Sequence, residues 1–298
     1  MTEAAAQAVY SKLDNYLCGS LNPPGRLRAV DGGYRLDGRW PFASGVAHAG
    51  WLIVSARCEA PAAVGSTAVV SAPVMCLLPA HEAVVHDTWH TLGLRATGSS
   101  DIEFRDVIVP EHMTFRIERA DDPRSPFHQG SLYRIPLSGG IGTPIAAVAL
   151  GIARTAIDAV VEMSRLKVPV GRTAPMRDQP VLQSEVARAE AEVRSASAWL
   201  NAMADQVTVL VESAAAVPLE VRRNLLLATV HAVQASASAV DRMHQAAGGS
   251  AIYQKSPIEK AFRDMHTLTA HRRSAPLQFE VAGKVLLGGE PGDASLLQ

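Results

Sequence analysis

The hydrophobic pattern of this 298-residue chain changes its period once, just after Pro110. Between Leu27 and Val109, short runs of Val, Ile, Trp and Phe alternate with Gly, Asp and Pro, a pattern typical of strands joined by turns. Beyond a linker rich in Pro, Asp and Arg, the chain continues in long alanine-rich segments with helical spacing. A strand-rich part followed by a helical part predicts an α+β fold with two separately built parts.

The strand-rich part is predicted to form an antiparallel, β-barrel-like domain. Hairpin-type turns at Asp31-Gly32-Gly33 and Asp37-Gly38 bracket one short strand. The clearest further strands occupy Trp51–Cys58, Ala68–Leu78 and Ile102–Val109. The helical part contains long segments with short connections, which predicts an antiparallel four-helix bundle. Its helices are expected over Ile141–Leu166, Pro180–Val211, Leu219–Ala247 and Pro257–His271, with a shorter one over Leu277–Leu287.

Four regions follow from these patterns. Residues 1–20 hold a residual helix over Ala4–Tyr16, and residues 21–115 hold the β domain. A linker over residues 116–135 then leads to the helical bundle over residues 136–298.

Composition excludes several classes of function. The net charge is −1 and the pI is about 6.8, so no basic surface for nucleic acid or an anionic membrane is expected. The three cysteines are widely spaced and form no CxxC pair, which predicts neither disulfides nor a metal site. The start lacks a signal peptide, and the apolar run Ile145–Ala153 is too short to span a bilayer before Arg154. We therefore expect a cytoplasmic protein without a membrane segment.

The segment from Asp241 to His271 carries the clearest local signals. Gly248 and Gly249 follow a helical run, and their missing Cβ atoms leave room for a ligand or a second backbone. Ser256, Pro257 and Glu259 then mark the start of the next helix. By residue chemistry alone, His271 at the end of that helix is a surface residue or a cation favoured by the helix dipole.

Three segments, in this order, resemble a known family. They are GYRLDGRWPFASGVAHAGWLIVSA (Gly33–Ala56), TWHTLGLRATGSSDIEFRDVIVPEH (Thr88–His112) and HQAAGGSAIYQKSPIEKAFRD (His244–Asp264). Together they resemble the acyl-CoA dehydrogenase fold superfamily, and within it the flavin-dependent (group D) monooxygenases of the aromatic hydroxylase and dibenzothiophene monooxygenase type. The resemblance implies a β domain along the flavin ring and a glycine turn that contacts the flavin nucleotide of a neighbouring subunit.

The resemblance also implies catalytic residues. The dehydrogenases of the family need a carboxylate base near the end of the last long helix, where this chain reads TAHRRS and carries His271. In the monooxygenase branch, a His at that point lies near flavin C4a. It would help to form or stabilise the flavin hydroperoxide, or deprotonate a phenolic substrate. Ser44 matches the family Ser near flavin N5, although a turn serine bonding its own backbone is an equal alternative.

Further positions are implied by the same resemblance. Those expected to bind the cofactor are Asn22, Arg172, Gln183, Gln245, Gly248 and Gly249, and those expected to shape the substrate cavity are Arg95 and Ser99. Arg172 would pair with phosphate. The alternatives are a turn-ordering role for Asn22, a surface position for Arg172, and a solvated turn for Arg95 and Ser99.

The cofactor expected from the resemblance is reduced FMN or FAD, used with O2 on a small aromatic or polycyclic substrate. A separate flavin reductase is expected, because no Gly-x-Gly-x-x-Gly follows a strand. Family members begin with an all-helical domain that this chain is expected to lack. A homodimer, a homotetramer or a longer paralogue would then complete the pocket.

Two other functions stay open at this point. The first is an acyl-CoA dehydrogenase with Glu259 or Asp264 as the base, although Asp264 is expected to pair with Arg263 or another Arg. The second is a non-catalytic partner subunit.

Overall fold

The computed structural model describes residues 1–12, 14–59, 73–116 and 129–291. The chain forms two compact units, of which the first comprises Met1–Thr91 and Arg95–Glu118. The second comprises Leu92–Leu94 and Arg119–Gln298. Most of the predicted linker and the first residues of the predicted strand Ala68–Leu78 lie outside the described residues.

The first unit begins with helix α1, which spans Glu3–Tyr10. Thr2 caps it, because its Oγ1 accepts a hydrogen bond from Ala5 N at 3.1 Å. The helix predicted over Ala4–Tyr16 was therefore too long. Asn15 Nδ2 donates to the carbonyl of Val9, one of the last carbonyls that the helix itself leaves without a partner. This contact ends α1 and turns the chain toward the sheet.

Seven strands form one mixed sheet in the first unit. They are β1 (Leu17–Val30), β2 (Gly33–Trp40), β3 (Trp51–Cys58), β4 (Val74–Pro79), β5 (Val84–His86), β6 (Asp101–Pro110) and β7 (Thr114–Phe115). Their order is β5-β6-β2-β1-β3-β4-β7, so β5 and β7 are the edges among the described strands. β1 and β3 are parallel, whereas the other pairs are antiparallel. The prediction of a purely antiparallel, barrel-like sheet was therefore wrong in strand direction, and no pairing of the described strands closes a barrel.

The segment Ser20–Gly25 (SLNPPG), which contains Asn22, is part of β1. The register of β1 against β3 shifts between Ser20 and Gly25, where two prolines remove backbone donors. Gly25 is needed in this bulge, because a Cβ there would collide with the Trp40 ring. Trp40 is fully buried and donates from Nε1 to Ser55 O at 2.9 Å. The bulge thus seats the largest side chain of the sheet core.

The described part of the second unit contains five α-helices. They are α2 (Leu137–Leu166), α3 (Pro180–Glu212), α4 (Leu219–Ala247), α5 (Pro257–Thr269) and α6 (Leu277–Leu286). α4 packs against each of the other four. Buried alanines such as Ala149, Ala153, Ala232 and Ala239 contribute to the shared core and permit close helix packing. The helix starts predicted at Pro180, Leu219 and Pro257 are confirmed, whereas the antiparallel four-helix arrangement stays a prediction.

α2 begins before the predicted start at Ile141, and its apolar part is longer than the predicted run Ile145–Ala153. Its part from Gly139 to Leu166 has the length and composition of a membrane-crossing helix. Arg154 interrupts the apolar run but not the helix. Its guanidinium lies 3.1 Å from Asp158 and 2.8 Å from Glu190, and these two carboxylates offset its charge. Ala146, Ala149 and Ile157 are fully buried in the core of this unit, so one face of α2 packs against the other helices.

Candidate functional site

A cluster of three hydroxyls lies on the first unit, where the loop after β2 meets the loop before β6. Ala43 N donates to Ser100 O at 3.1 Å, and Gly45 N donates to Thr97 O at 2.7 Å. Gly45 has a φ of +80°, which glycine adopts without strain. These bonds bring Ser44 Oγ to 2.7 Å from Ser99 Oγ. A predicted cofactor residue and a predicted substrate residue are therefore hydrogen-bonded partners.

The third member of this hydroxyl cluster is Thr97, which the sequence reading missed. Its Oγ1 lies 2.6 Å from Ser99 Oγ. Ser99 is buried, with 4% of its surface exposed, whereas Ser44 is exposed. A hydroxyl can donate and accept at once, so Ser99 can orient Ser44 while Ser44 turns toward a ligand.

Two aromatic side chains lie on the same two loops. Phe42 has a φ of +65°, which is uncommon for a bulky residue, and 66% of its surface is exposed. Its ring meets Trp89 in a T-shaped contact with 6.2 Å between centroids. Strained backbone of this kind collects at functional sites. The loop that carries Ser44 thus presents an exposed aromatic ring two residues earlier in the chain.

Asn22 and Arg95 are placed differently from the cluster. Arg95 Nε donates to Thr91 O at 2.8 Å, so its guanidinium orders its own turn. Asn22 is exposed in the bulge of β1, where its carbonyl accepts from Ser20 Oγ at 3.5 Å. Among the described residues, neither side chain shares a hydrogen bond with the hydroxyl cluster. The contact of Arg95 agrees with the alternative of a solvated turn, whereas the role of Asn22 stays a prediction.

His271 lies two residues beyond α5, which ends at Thr269 rather than at His271 as predicted. Ser274 Oγ donates to Leu268 O and His271 O at 3.0 Å, which terminates the helix. The ring is fixed as well, because Arg273 N donates to His271 Nδ1 at 3.2 Å. In the neutral imidazole the proton therefore lies on Nε2. His271 keeps an exposed surface, but partial desolvation by the surrounding chain lowers the pKa of its ring, and the charge of Arg273 lowers it further.

The two carboxylates of α5 are fully engaged. Glu259 Oε2 accepts from Arg263 Nη2 at 2.9 Å. Asp264 Oδ1 accepts from Leu94 N at 2.7 Å, and Oδ2 pairs with Lys260. The expectation that Asp264 pairs with Arg263 was therefore wrong, because Arg263 bonds Glu259 instead. Although burial raises the pKa of Asp264, the bonds from Lys260 and Leu94 lower it more, so the carboxylate stays charged in its pairs.

The glycine turn follows α4 directly. Gly248 has φ +59° and ψ −141°, a conformation that only glycine adopts freely. Gly249 has no positive φ, and no atom from the part of the chain that the structure describes lies within 4 Å of a Cβ built on it. The chain itself therefore requires glycine at position 248 but not at 249. Gln245 is exposed on the last turn of α4.

A lysine that the sequence reading missed is bound to this turn. Lys167 follows α2, and its Nζ donates to Ala247 O at 2.9 Å and to Ser250 Oγ at 2.8 Å. The two other predicted nucleotide ligands are less involved. Gln183 Nε2 donates to Arg177 O at 2.9 Å, and Arg172 is exposed on the connection before α3.

The seam between α4 and α5 holds one more polar contact. His266 Nε2 lies 2.8 Å from Asp241 Oδ1, and the Phe262 ring packs at a tilt against His244 and His266 with centroids 4.3 Å apart. These contacts join the two helices, which agrees with a structural role for His266. In the described part of the chain, no three His, Cys, Asp or Glu side chains form a metal-binding group.

Comparison with known proteins defines the class. The family model for the acyl-CoA dehydrogenase C-terminal domain matches residues 143–276. An FADH(2)-dependent resorcinol hydroxylase, oxygenase component, of Rhizobium sp. (strain MTP-10005) is 30% identical, over 97% of this chain and 73% of the relative. An indole-3-acetate monooxygenase of Pseudomonas putida is 29% identical, over 97% of this chain and 72% of the relative. The structure of XiaF from Streptomyces sp., in complex with FADH2 and glycerol, superposes with a TM-score of 0.87 at 26% identity, covering 98% and 74% of the two chains.

The fold is therefore that of the acyl-CoA dehydrogenases, and the chain is an oxidoreductase. It belongs to the flavin-dependent monooxygenases, as the three motifs predicted, and specifically to their oxygenase components. The chemistry of the members depends on a reduced flavin, which agrees with the predicted cofactor.

Gly249→Val should leave the folded chain intact, because none of the described residues places an atom within 4 Å of the new Cβ. It should nevertheless weaken binding of reduced flavin, or assembly into dimers or tetramers, if a ligand or another subunit approaches there. Anaerobic titration and light scattering measure both quantities. Gly151→Ala, at an equally open helical glycine, is the control. If the Gly249→Val variant binds and assembles normally, the turn serves only as a helix stop.

The imidazole of His271 should titrate below its ordinary pKa of about 6.5. The unfolded chain then binds more protons than the folded chain. The contribution of His271 to stability should be complete above the unfolded pKa and decline as pH falls below it toward the folded pKa. NMR titration of the His271 ring, assigned with His271→Gln and compared with the chain in urea, measures the shift. A folded midpoint at or above the unfolded one would contradict it.

Proposed function

We propose that the chain hydroxylates a small aromatic or polycyclic substrate, using O2 and a reduced flavin that a separate reductase supplies. The observation that carries this proposal is the pairing of both carboxylates of α5, which leaves His271 at the place that the resemblance gives to the dehydrogenase base. The named activities of two relatives, on resorcinol and on indole-3-acetate, support an aromatic substrate. Planar aromatic compounds are therefore the substrates to test first.

Reduced FAD is the proposed flavin, in preference to FMN. The 30% identical relative is described as FADH(2)-dependent, and the XiaF structure contains FADH2. The residues present fit such a group. Exposed Phe42 offers an apolar surface for a planar ring, and Ser44 offers a hydroxyl for its polar edge. When bound, the flavin supplies the electrons that activate O2.

The proposed role of Ser44 is to hold the polar edge of the flavin ring. Ser99 is buried and already bonds both Ser44 and Thr97, so it can fix the direction in which the Ser44 hydroxyl donates. Ordering the donor before the ligand arrives reduces the entropy lost on binding. Arg95 and Asn22 are proposed to shape the loops around this position rather than to contact the ligand.

The proposed role of His271 is to donate a hydrogen bond from Nε2 to an oxygen atom in the reaction. Nδ1 is occupied by Arg273 N, and the neutral form is favoured by the lowered pKa. Acting as a base toward a phenol would require the opposite tautomer and the loss of that contact. Donation therefore has the stronger support of the two roles that the family implies.

An acyl-CoA dehydrogenase activity is the second candidate, favoured by the match of residues 143–276 to the acyl-CoA dehydrogenase C-terminal domain. It requires a carboxylate that can accept a substrate proton. Glu259 is bound to Arg263, and Asp264 is bound to Lys260 and Leu94. Either carboxylate would have to break these bonds to act, so the monooxygenase is preferred. For the oligomeric state, we propose a homodimer or homotetramer, with assembly on a longer partner chain as the alternative.

The direct test is an anaerobic titration of the purified chain with reduced FAD and reduced FMN, followed by rapid mixing with O2 and resorcinol or indole-3-acetate. Saturable binding and a hydroxylated product are expected, with tighter binding of FAD. If neither reduced flavin binds, the chain is a partner subunit without its own chemistry. Oxidation of an acyl-CoA, with no hydroxylation, would establish the second candidate instead.

His271→Ala should reduce hydroxylation by roughly a hundredfold or more, as for the loss of other hydrogen-bond donors to a developing negative charge, with flavin affinity nearly unchanged. His271→Gln keeps a donor but cannot act as a base. It should therefore retain more activity than the Ala variant if donation is the role. His90→Ala, at an exposed histidine of the first unit, controls for loss of any imidazole. Stopped-flow turnover at matched flavin saturation measures all three. Unchanged turnover in both His271 variants would remove this residue from the mechanism.

A further inference from the structure

Lys167 is fixed beside the glycine turn by two hydrogen bonds. It comes immediately after α2, and its side chain crosses to the end of α4, where Nζ bonds Ala247 O at 2.9 Å and Ser250 Oγ at 2.8 Å. The partners stand on either side of Gly248 and Gly249 in the chain. The lysine charge is therefore held at the turn itself.

The position of the turn creates an electrostatic problem for an anionic ligand. α4 is 29 residues long, and its last carbonyls carry the negative end of the helix dipole. A phosphate approaching the open side of Gly249 would meet that negative end. The Lys167 ammonium bonds one of these carbonyls and brings a full positive charge, which reverses the sign of the local field. An anion at the turn thus depends on a cation in this place.

The charge of Lys167 is available to a ligand. In the part of the chain that the structure describes, both of its partners are neutral oxygens, and no carboxylate pairs with it. An ammonium has three N–H donors, so one remains after these two bonds. Arg242, another cation on α4, is instead neutralised by Glu185 and Glu192.

We propose that Lys167 binds the phosphate of the flavin nucleotide at the glycine turn, which rests on the function proposed above. This role replaces the one that the sequence reading gave to Arg172. No side-chain contact holds Arg172 at the turn among the described residues, whereas Lys167 is already oriented there. Gly249 provides the open approach, Ser250 orients the ammonium, and Gln245 lies on the last turn of α4.

The experiment compares reduced riboflavin, FMN and FAD, which share the ring but carry no phosphate, one phosphate and a diphosphate. Anaerobic titration gives Kd values for the unsubstituted chain and for Lys167→Met, Lys167→Gln and Arg172→Met. The Gln side chain can still donate to Ala247 O but carries no charge. It therefore separates the effect of the charge from the effect of the hydrogen bond at the end of α4. Inorganic phosphate is added as a competitor to separate a general anion site from a flavin site. Melting temperatures report any structural effect.

Both Lys167 variants should bind FMN and FAD roughly tenfold to a hundredfold more weakly, the loss typical of a charge-assisted hydrogen bond. Their affinity for riboflavin should stay within about twofold, and Arg172→Met should bind all three flavins normally. Competition by phosphate against FMN, lost in Lys167→Gln, would support the same assignment. Equal losses for all three flavins, or no loss, would overturn it and leave Lys167 as a helix cap. Failure of the unsubstituted chain to bind any reduced flavin would instead overturn the proposed function together with this inference.

Discussion

Helix α5 holds the segment Leu92–Leu94 through its own side chains, and this constraint decides which groups remain for chemistry. Thr267 Oγ1 accepts from Gly93 N at 2.8 Å, Asp264 accepts from Leu94 N, and Arg263 Nη1 donates to Leu92 O at 2.9 Å. Gly93 is required for the fit, because a Cβ there would collide with the backbone of Arg263. The buried carboxylate of Asp264 is thus bonded to the backbone of this segment. To accept a proton from a substrate, it would have to give up that hydrogen bond.

Three half-buried arginines of the second unit are paired with carboxylates. Arg154 pairs with Glu190, Arg242 with Glu185 and Glu192, and Arg263 with Glu259. These pairs neutralise the three arginines. Lys167 differs from them, because its bonds go to a carbonyl and a hydroxyl. A cation bonded only to neutral groups keeps its charge for a ligand.

Local signals predicted much of the fold. Ser256 and Pro257 start α5 as expected, and the Asp31-Gly32 turn joins β1 to β2 with Val30 opposite Gly33. The parallel pairing of β1 with β3 could not be predicted, because strand periodicity says which face is buried and not which neighbour is chosen. Ser44 and Ser99 were named separately, but their 2.7 Å contact depends on two loop bonds that involve backbone atoms alone. Lys167 was missed because its partners are 80 residues or more away.

The two glycines of the turn show why a motif needs both sequence and structure. Gly248 is explained within the chain, since its backbone conformation excludes other residues. Gly249 has no such explanation, and its open side faces no atom of the described chain. The same motif therefore contains one residue that the fold requires to be glycine and one that it does not. An ammonium placed by Ala247 and Ser250 on either side of these glycines would favour a negatively charged partner over a neutral one, if a partner approaches Gly249.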